Sequence, residues 1–71
     1  MKEYVVIYER ARGNYSAYVP DLPGCVAAGK TLAETERLIK EAIKLYIQAV
    51  KEAGRSVPKP TTQAKAVAVA V

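Results

Sequence analysis

Histidine is absent from this 71-residue sequence, and cysteine and aspartate each occur once. Without histidine the chain lacks the usual general base at neutral pH, the usual metal ligand, and any Ser–His or Cys–His pair. The lone Cys25 excludes an intrachain disulfide and a cysteine cluster that could hold zinc. We therefore expect no catalytic residue, no cofactor and no metal site.

Long apolar runs are also missing. No segment approaches the roughly 20 residues that span a bilayer, and the N-terminus has no signal-peptide pattern. These absences predict a cytoplasmic protein with no membrane contact. The scarcity of Asn, Gln and Met resembles the composition of heat-stable proteins and predicts thermostability. The length predicts one domain, and a chain this short buries only about 60% of its unfolded surface, so a partner chain would add stability.

Turn residues divide the sequence into five elements. Gly13-Asn14 predicts a hairpin loop, the prolines at 20 and 23 end a strand, and Thr31 with Glu34 forms a capping box at a helix start. The apolar patterns predict strands over Tyr4–Tyr8, Tyr15–Val19, Cys25–Ala28 and Gln63–Val71, and a helix from Thr31 to about Ala53.

The element order β-β-β-α-β predicts a two-layer α+β fold with one helix on one sheet face. The first three strands form an antiparallel meander, and a right-handed crossover places the fourth strand beside the first. The expected sheet is four-stranded and mixed, with the order 3-2-1-4. The sequence does not indicate which face the helix covers.

The helix has an apolar arc of roughly 200°, which is wider than the stripe that one sheet buries. Two explanations remain open: the loop residues Leu22, Val57 and Pro58 cover its flanks, or a second chain does. The first strand is apolar on both faces, which favours an interface. The candidate interface residues are Tyr4, Tyr8, Tyr18, Leu45, Ile47, Val67 and Val69.

A proline-rich loop motif follows the second strand. It consists of Pro20, Asp21, Leu22, Pro23, Gly24 and Cys25. The motif could bind a partner, or it could shape the turn with the Asp21 carboxylate capping loop amides. We interpret Cys25 as a small buried residue, because no histidine is present to activate its thiol.

Nucleic-acid binding is the alternative function. Arg10 and Arg12 in the predicted hairpin loop could contact phosphates, and outward-facing tyrosines could stack on bases. Against this, lysines and glutamates alternate along the helix and form no basic stripe, so nucleic acid is the less favoured partner. A metal-dependent hydrolase is less favoured still, because no cluster of acidic residues is predicted.

The run from Gly13 to Cys25, GNYSAYVPDLPGC, and the helix start GKTLAE at Gly29–Glu34 resemble the HicB-like antitoxin family. The segment EAIKLY at Glu41–Tyr46 is similar to a further family motif, and the resemblance covers roughly residues 4–60.

The resemblance implies a partial ribonuclease-H-like fold, self-association as a homodimer or higher oligomer, and a non-enzymatic antitoxin domain. Its implied partner is a HicA-type toxin, a small mRNA-cleaving ribonuclease that the antitoxin would mask sterically. Family members often continue into a DNA-binding domain, whereas this sequence ends at Val71, so we expect a single domain over 1–71 without that addition.

Overall fold

The computed structural model describes residues 2–71. Its elements are strand β1 (Ile7–Ala11), strand β2 (Asn14–Tyr18), strand β3 (Val26–Gly29) and helix α1 (Leu32–Glu52). The strands form an antiparallel sheet with the order β1-β2-β3, and α1 packs against β2 and β3. The α+β class with a three-stranded meander and one helix therefore agrees with the sequence prediction.

The hairpin between β1 and β2 is tighter than predicted. Ala11 pairs with Asn14, so only Arg12 and Gly13 form the turn. Gly13 adopts φ of +79°, a conformation that costs glycine little because it has no Cβ. As a result Arg10 lies within β1 and not in the loop, which corrects its predicted position.

Helix α1 begins and ends where the capping residues indicate. The Thr31 side chain accepts a hydrogen bond from the Glu34 backbone N–H at 3.1 Å. The Glu34 carboxylate accepts from the Lys30 N–H at 3.4 Å, one residue before the N–H that an ideal capping box uses. At the other end Gly54 takes φ of +71° and its N–H bonds to the Lys51 carbonyl, which closes the last turn.

The hydrophobic core lies between α1 and one face of the sheet. Its buried residues are Ala17, Val19, Leu22, Cys25 and Ile39. In β1, β2 and β3 the paired residues Tyr8, Ala17 and Ala27 share the face that the helix covers, because directly paired residues point to the same side of a sheet. The structure thus identifies the covered face, which the sequence pattern left open.

The predicted fourth strand is wrong, and so is the sheet order 3-2-1-4. Residues 63–71, which we call the tail, contain no helix, strand, turn or bend, and all their side chains are exposed. Alternating Ala and Val favour a strand, but a strand also needs a sheet edge within reach. Asp21, in the loop between β2 and β3, binds Thr61 and Thr62 directly before the tail, and the tail does not pair with β1 of its own chain.

Candidate functional site

One face of the sheet is not covered by the helix. We call it the open face; across β1, β2 and β3 it is formed by Ile7, Glu9, Ala11, Asn14, Ser16, Tyr18, Val26 and Ala28. Ile7, Tyr18 and Val26 are paired in register and form an apolar row across all three strands. Val26 is 63% exposed and Tyr18 is 41% exposed, so this row presents apolar surface to solvent. Contiguous exposed apolar surface of this kind is typical of interaction sites.

The charge of the open face differs from that of the whole chain. The chain has eleven Lys and Arg residues and a formal net charge of +4. None of the eleven belongs to the open face, where Glu9 is the only charged residue. The open face is therefore apolar with an acidic side chain next to the row, although the protein as a whole is basic.

A second apolar surface lies between α1 and the N-terminal segment. This helix groove has a volume of about 340 Å³ and is lined by Lys2, Tyr4, Ile43, Ile47, Lys51 and Val57. The Tyr4 hydroxyl donates a hydrogen bond to the carbonyl of Pro58, which holds the segment after the helix against the N-terminal segment. The loop thus covers the Ile47 flank of α1 in part.

The candidate interface residues do not form one surface. Tyr4 and Ile47 meet in the helix groove, whereas Tyr18 lies on the open face. Leu45, on the opposite flank of α1 from Ile47, is 67% exposed. Tyr8 lies on the helix side of the sheet, where its partial burial and the negative charge of Glu36 raise the pKa of its hydroxyl. The remaining two, Val67 and Val69, belong to the exposed tail.

The proline-rich loop fixes the position of a distant segment. The Asp21 carboxylate accepts four hydrogen bonds: from the backbone N–H groups of Thr61 and Thr62, both at 3.0 Å, and from their hydroxyls at 3.1 and 2.7 Å. These hydrogen bonds favour the charged carboxylate, so they lower the pKa of Asp21. Asp21 does cap amides, but they belong to a segment 40 residues away and not to its own loop.

Leu22 and Cys25 anchor the same loop in the core. The Leu22 N–H bonds to the Val19 carbonyl, and the Cys25 N–H bonds to the Leu22 carbonyl, both at 3.0 Å. Burial raises the pKa of the Cys25 thiol, which is the opposite of the shift that an activated nucleophile needs. The loop motif therefore has two structural roles: Leu22 and Cys25 attach it to the core, and Asp21 binds the segment around Thr61.

We expect the contribution of Asp21 to stability to disappear in acid. Its pKa is lower in the folded state than in the unfolded chain, so the stabilisation is complete above the unfolded value of about 4 and is lost as the pH falls through the folded value. Urea unfolding of the wild type and Asp21→Asn between pH 2 and pH 6 measures this contribution. The variant should unfold at lower urea than the wild type at pH 6, and the two midpoints should converge at low pH. Glu9→Gln is the exposed control, and a constant difference across the pH range would contradict the assignment.

The two arginines proposed for RNA contact are separated from the exposed tyrosine. Arg10 pairs with Tyr15 on the helix side of the sheet, where the two residues line a 160 Å³ pocket with Lys30. Arg12 is in the hairpin turn, while Tyr18 lies on the opposite face from Arg10. The basic and aromatic side chains therefore do not form one continuous surface.

Residues 2–71 contain no group of three or more acidic or thiol side chains placed to hold a metal ion. In the same range no helix has both the length and the apolar character needed to cross a membrane.

Sequence reasoning missed three residues that the structure makes important. Val26 completes the apolar row, but the sequence of residues 25–28 did not indicate which face of the sheet Val26 would lie on. Thr61 and Thr62 bind Asp21, but no local signal links a Thr-Thr pair to an acid 40 residues earlier. The presence of one aspartate in the whole chain is the only sequence feature that could have drawn attention to this contact.

The fold and these surfaces define a small α+β domain that presents an apolar sheet face to solvent. The sequence model described as "HicB_like antitoxin of bacterial toxin-antitoxin system" matches residues 4–70, and the chain belongs to this family. The match extends beyond the segment around residue 60, where the motif resemblance ended, and it includes most of the tail.

Proteins of two microbes and one phage are similar to this chain in sequence. A UPF0150 protein of Thermoplasma acidophilum is 40% identical over 63 residues, which cover 89% of this chain and 91% of the relative. A UPF0150 protein of Synechocystis is 36% identical over 69 residues, covering 96% of this chain and 87% of the relative. An uncharacterized 14.9 kDa protein of Haemophilus phage HP1 is 39% identical over 56 residues, which cover 79% of this chain but only 42% of the phage protein.

Proposed function

We propose that this protein is an antitoxin that binds a HicA-type, mRNA-cleaving toxin through its open face and thereby keeps RNA from the toxin. The observation that carries the proposal is the apolar row of Ile7, Tyr18 and Val26, in which Tyr18 and Val26 are exposed and next to which Glu9 is the only charge on the open face. The mechanism is steric, and the chain itself performs no catalysis. Because the proposed partner acts on mRNA, we place the complex in the cytoplasm.

The chemistry of the open face suits a protein partner. Interface cores are depleted in charged residues and enriched in aromatic residues, and tyrosine is among the side chains that dominate binding energies. Tyr18 and Val26 already lie side by side on paired strands, so a partner can bury them without ordering a flexible segment first.

The charge distribution suits a basic partner in particular. A ribonuclease that holds RNA needs cationic side chains on its RNA-binding surface. All eleven basic residues of the chain lie outside the open face, so this face avoids like-charge contacts with such a surface. Glu9 adds a charge of the opposite sign. The overall charge of +4, which by itself argues against a basic partner, is thus compatible with this binding mode.

Two matched variants test the proposal. Val26 and Leu45 are 63% and 67% exposed, so Val26→Lys and Leu45→Lys place the same charge at equally exposed apolar positions on the open face and on α1. Calorimetry with a HicA-type toxin from the same genome, together with a ribonuclease assay, measures binding and inhibition. We expect Val26→Lys to weaken binding about 30-fold or more, as for a central interface residue, and Leu45→Lys to leave it unchanged.

If the two variants bound the toxin with equal affinity, the open face would not be the binding surface. If the wild type neither bound nor inhibited the toxin, the proposed function would be wrong. The alternative, RNA binding, has its own signature. Salt-dependent binding of single-stranded RNA that is lost in the double variant Arg10→Ala, Arg12→Ala would replace the antitoxin proposal.

Self-association is the second part of the proposal. Within residues 2–71 the buried core has only five residues, whereas Tyr18 and Val26 on the open face and Val67 and Val69 in the tail are exposed to solvent. We propose a homodimer or a higher oligomer as the working form.

A further inference from the structure

The tail has the properties of a strand that has no partner within its own chain. Its nine residues alternate Ala and Val from Ala66 to Val71, and the segment contains no turn or bend. Val67 is 80% exposed and Val69 is 70% exposed, although valine is a residue that strands and cores favour. The family match includes this segment as far as residue 70. The backbone of an unpaired strand can form hydrogen bonds with the sheet edge of another chain.

The sheet has an unfilled edge that fits the tail. With the order β1-β2-β3, the outer edge of β1 carries unpaired backbone groups, and the N-terminal segment from Tyr4 leads directly into it. The five residues of β1 offer an edge of about 17 Å, against about 13 Å for the four residues of β3, and the nine-residue tail spans about 30 Å when extended. The edge of β1 is therefore longer than the edge of β3 and can pair with more residues of the tail.

The apolar helix groove lies beside that edge. Tyr4 forms part of the groove, and Ile43, Ile47 and Val57 are its apolar wall. A strand added next to the N-terminal half of β1 has one row of side chains on the helix side of the sheet, and the volume of about 340 Å³ there accepts valine side chains. The smaller alanines then lie on the other side, level with the open face.

The tail begins at the loop between β2 and β3 and leaves the β1 edge of its own chain unpaired. The segment after α1 passes Tyr4, where Pro58 accepts a hydrogen bond, and then reaches Asp21 in the loop between β2 and β3. The four hydrogen bonds of Asp21 hold Thr61 and Thr62 at that loop, and the tail that follows them pairs with no strand of its own chain. A neighbouring chain can present its β1 edge to the tail without breaking this contact.

We infer that two copies of this chain exchange their tails, with residues 63–71 of each copy pairing as a fourth strand with the β1 edge of the other and placing Val67 and Val69 in its helix groove. A symmetric exchange of this kind is self-complementary and closes as a dimer. This inference deepens the self-association proposed above and is independent of the toxin.

Matched lysine variants test the exchange. Val69→Lys places a charge on the groove side of the added strand, and Ala68→Lys places the same charge one residue away on the opposite side. Analytical ultracentrifugation of the full chain should show a wild-type dimer, an increase in the dimer dissociation constant of about 30-fold or more for Val69→Lys, and little change for Ala68→Lys. Two results would overturn the exchange. One is a wild type that is still a monomer at roughly 100 μM, and the other is an equal effect of the two variants.

A measurement without any substitution separates exchange from other dimers. In a mixture of isotope-labelled and unlabelled wild-type chains, isotope-filtered NOE spectra detect only contacts between chains. Contacts between the methyl groups of Val67 or Val69 and residues 4–8 of the other copy support the inference. A dimer in which these contacts are absent, or occur only within one chain, overturns it. Because no toxin is present, failure of toxin binding and failure of tail exchange are distinguishable.

Discussion

Ile39→Ala should remove about half of the folding stability of this protein. Ile39 is 1% exposed at the centre of the helix face that covers the sheet, and it packs with Ala17, Leu22 and Cys25. Truncation of a buried isoleucine to alanine costs about 2–5 kcal/mol, the sum of lost burial and the cavity left behind. Natural domains have about 0.05–0.15 kcal/mol of stability per residue, which for 71 residues is roughly 4–11 kcal/mol. The variant should therefore unfold at a much lower urea concentration than the wild type.

Urea denaturation followed by circular dichroism at 222 nm measures the effect of Ile39→Ala. Leu45→Ala is the control, because it removes a similar volume from the same helix at a position that is 67% exposed. Surface substitutions of this kind change stability by about 0.5 kcal/mol or less. If the two variants had the same urea midpoint, the orientation of α1 on the sheet described above would be incorrect.

Leu22→Ala is expected to destabilise the fold by a similar amount, about 2–5 kcal/mol, although Leu22 lies in a loop. Its side chain is 0% exposed and belongs to the core cluster, and its backbone N–H and carbonyl both form hydrogen bonds within the loop. The residue therefore fastens the proline-rich motif to the core. A loop that served only to bind a partner would tolerate this truncation, because its side chains would face solvent.

The control for this position is Leu22→Met, which conserves volume and should cost less than about 1.5 kcal/mol. Pro23→Ala adds a second comparison in the same motif, since Pro23 is exposed. We expect the order of urea midpoints to be wild type, then Leu22→Met, then Leu22→Ala, with Pro23→Ala close to the wild type. A large loss of stability for Pro23→Ala, together with a small loss for Leu22→Ala, would show that the burial of Leu22 in the core does not hold the motif in place.

The helix and the meander could be predicted because their signals are local. Thr31 and Glu34 cap the start of α1, Gly54 ends it, and Gly13 marks the first turn; each acts within a few residues. The strand bounds were less accurate at β1, which begins at Ile7 and not at Tyr4. Residues 4–6 have strand-forming side chains, but β2 pairs only as far as Ile7.

The fourth strand and the candidate surfaces depend on contacts that no local pattern contains. Val67 and Val69 fit a strand by propensity, but the tail pairs with no strand of its own chain, and the contact of Asp21 with Thr61 and Thr62 fixes the point where the tail begins. Likewise Tyr18 and Val26 form one row only because β2 and β3 pair in a particular register. A one-residue shift of that register would have placed Val26 on the helix side and removed the row.

The order of elements in the sheet also has a consequence for the folding rate. β1, β2, β3 and α1 are neighbours in space in the same order as in the chain, so the core forms by closing short loops. Topologies dominated by such local closure lose little chain entropy before they gain contacts, and small α/β domains of this type fold on a timescale of about milliseconds. The contacts of Asp21 with Thr61 and of Tyr4 with Pro58 join residues 40 and 54 positions apart, and a nascent chain completes both only after α1 has been synthesised.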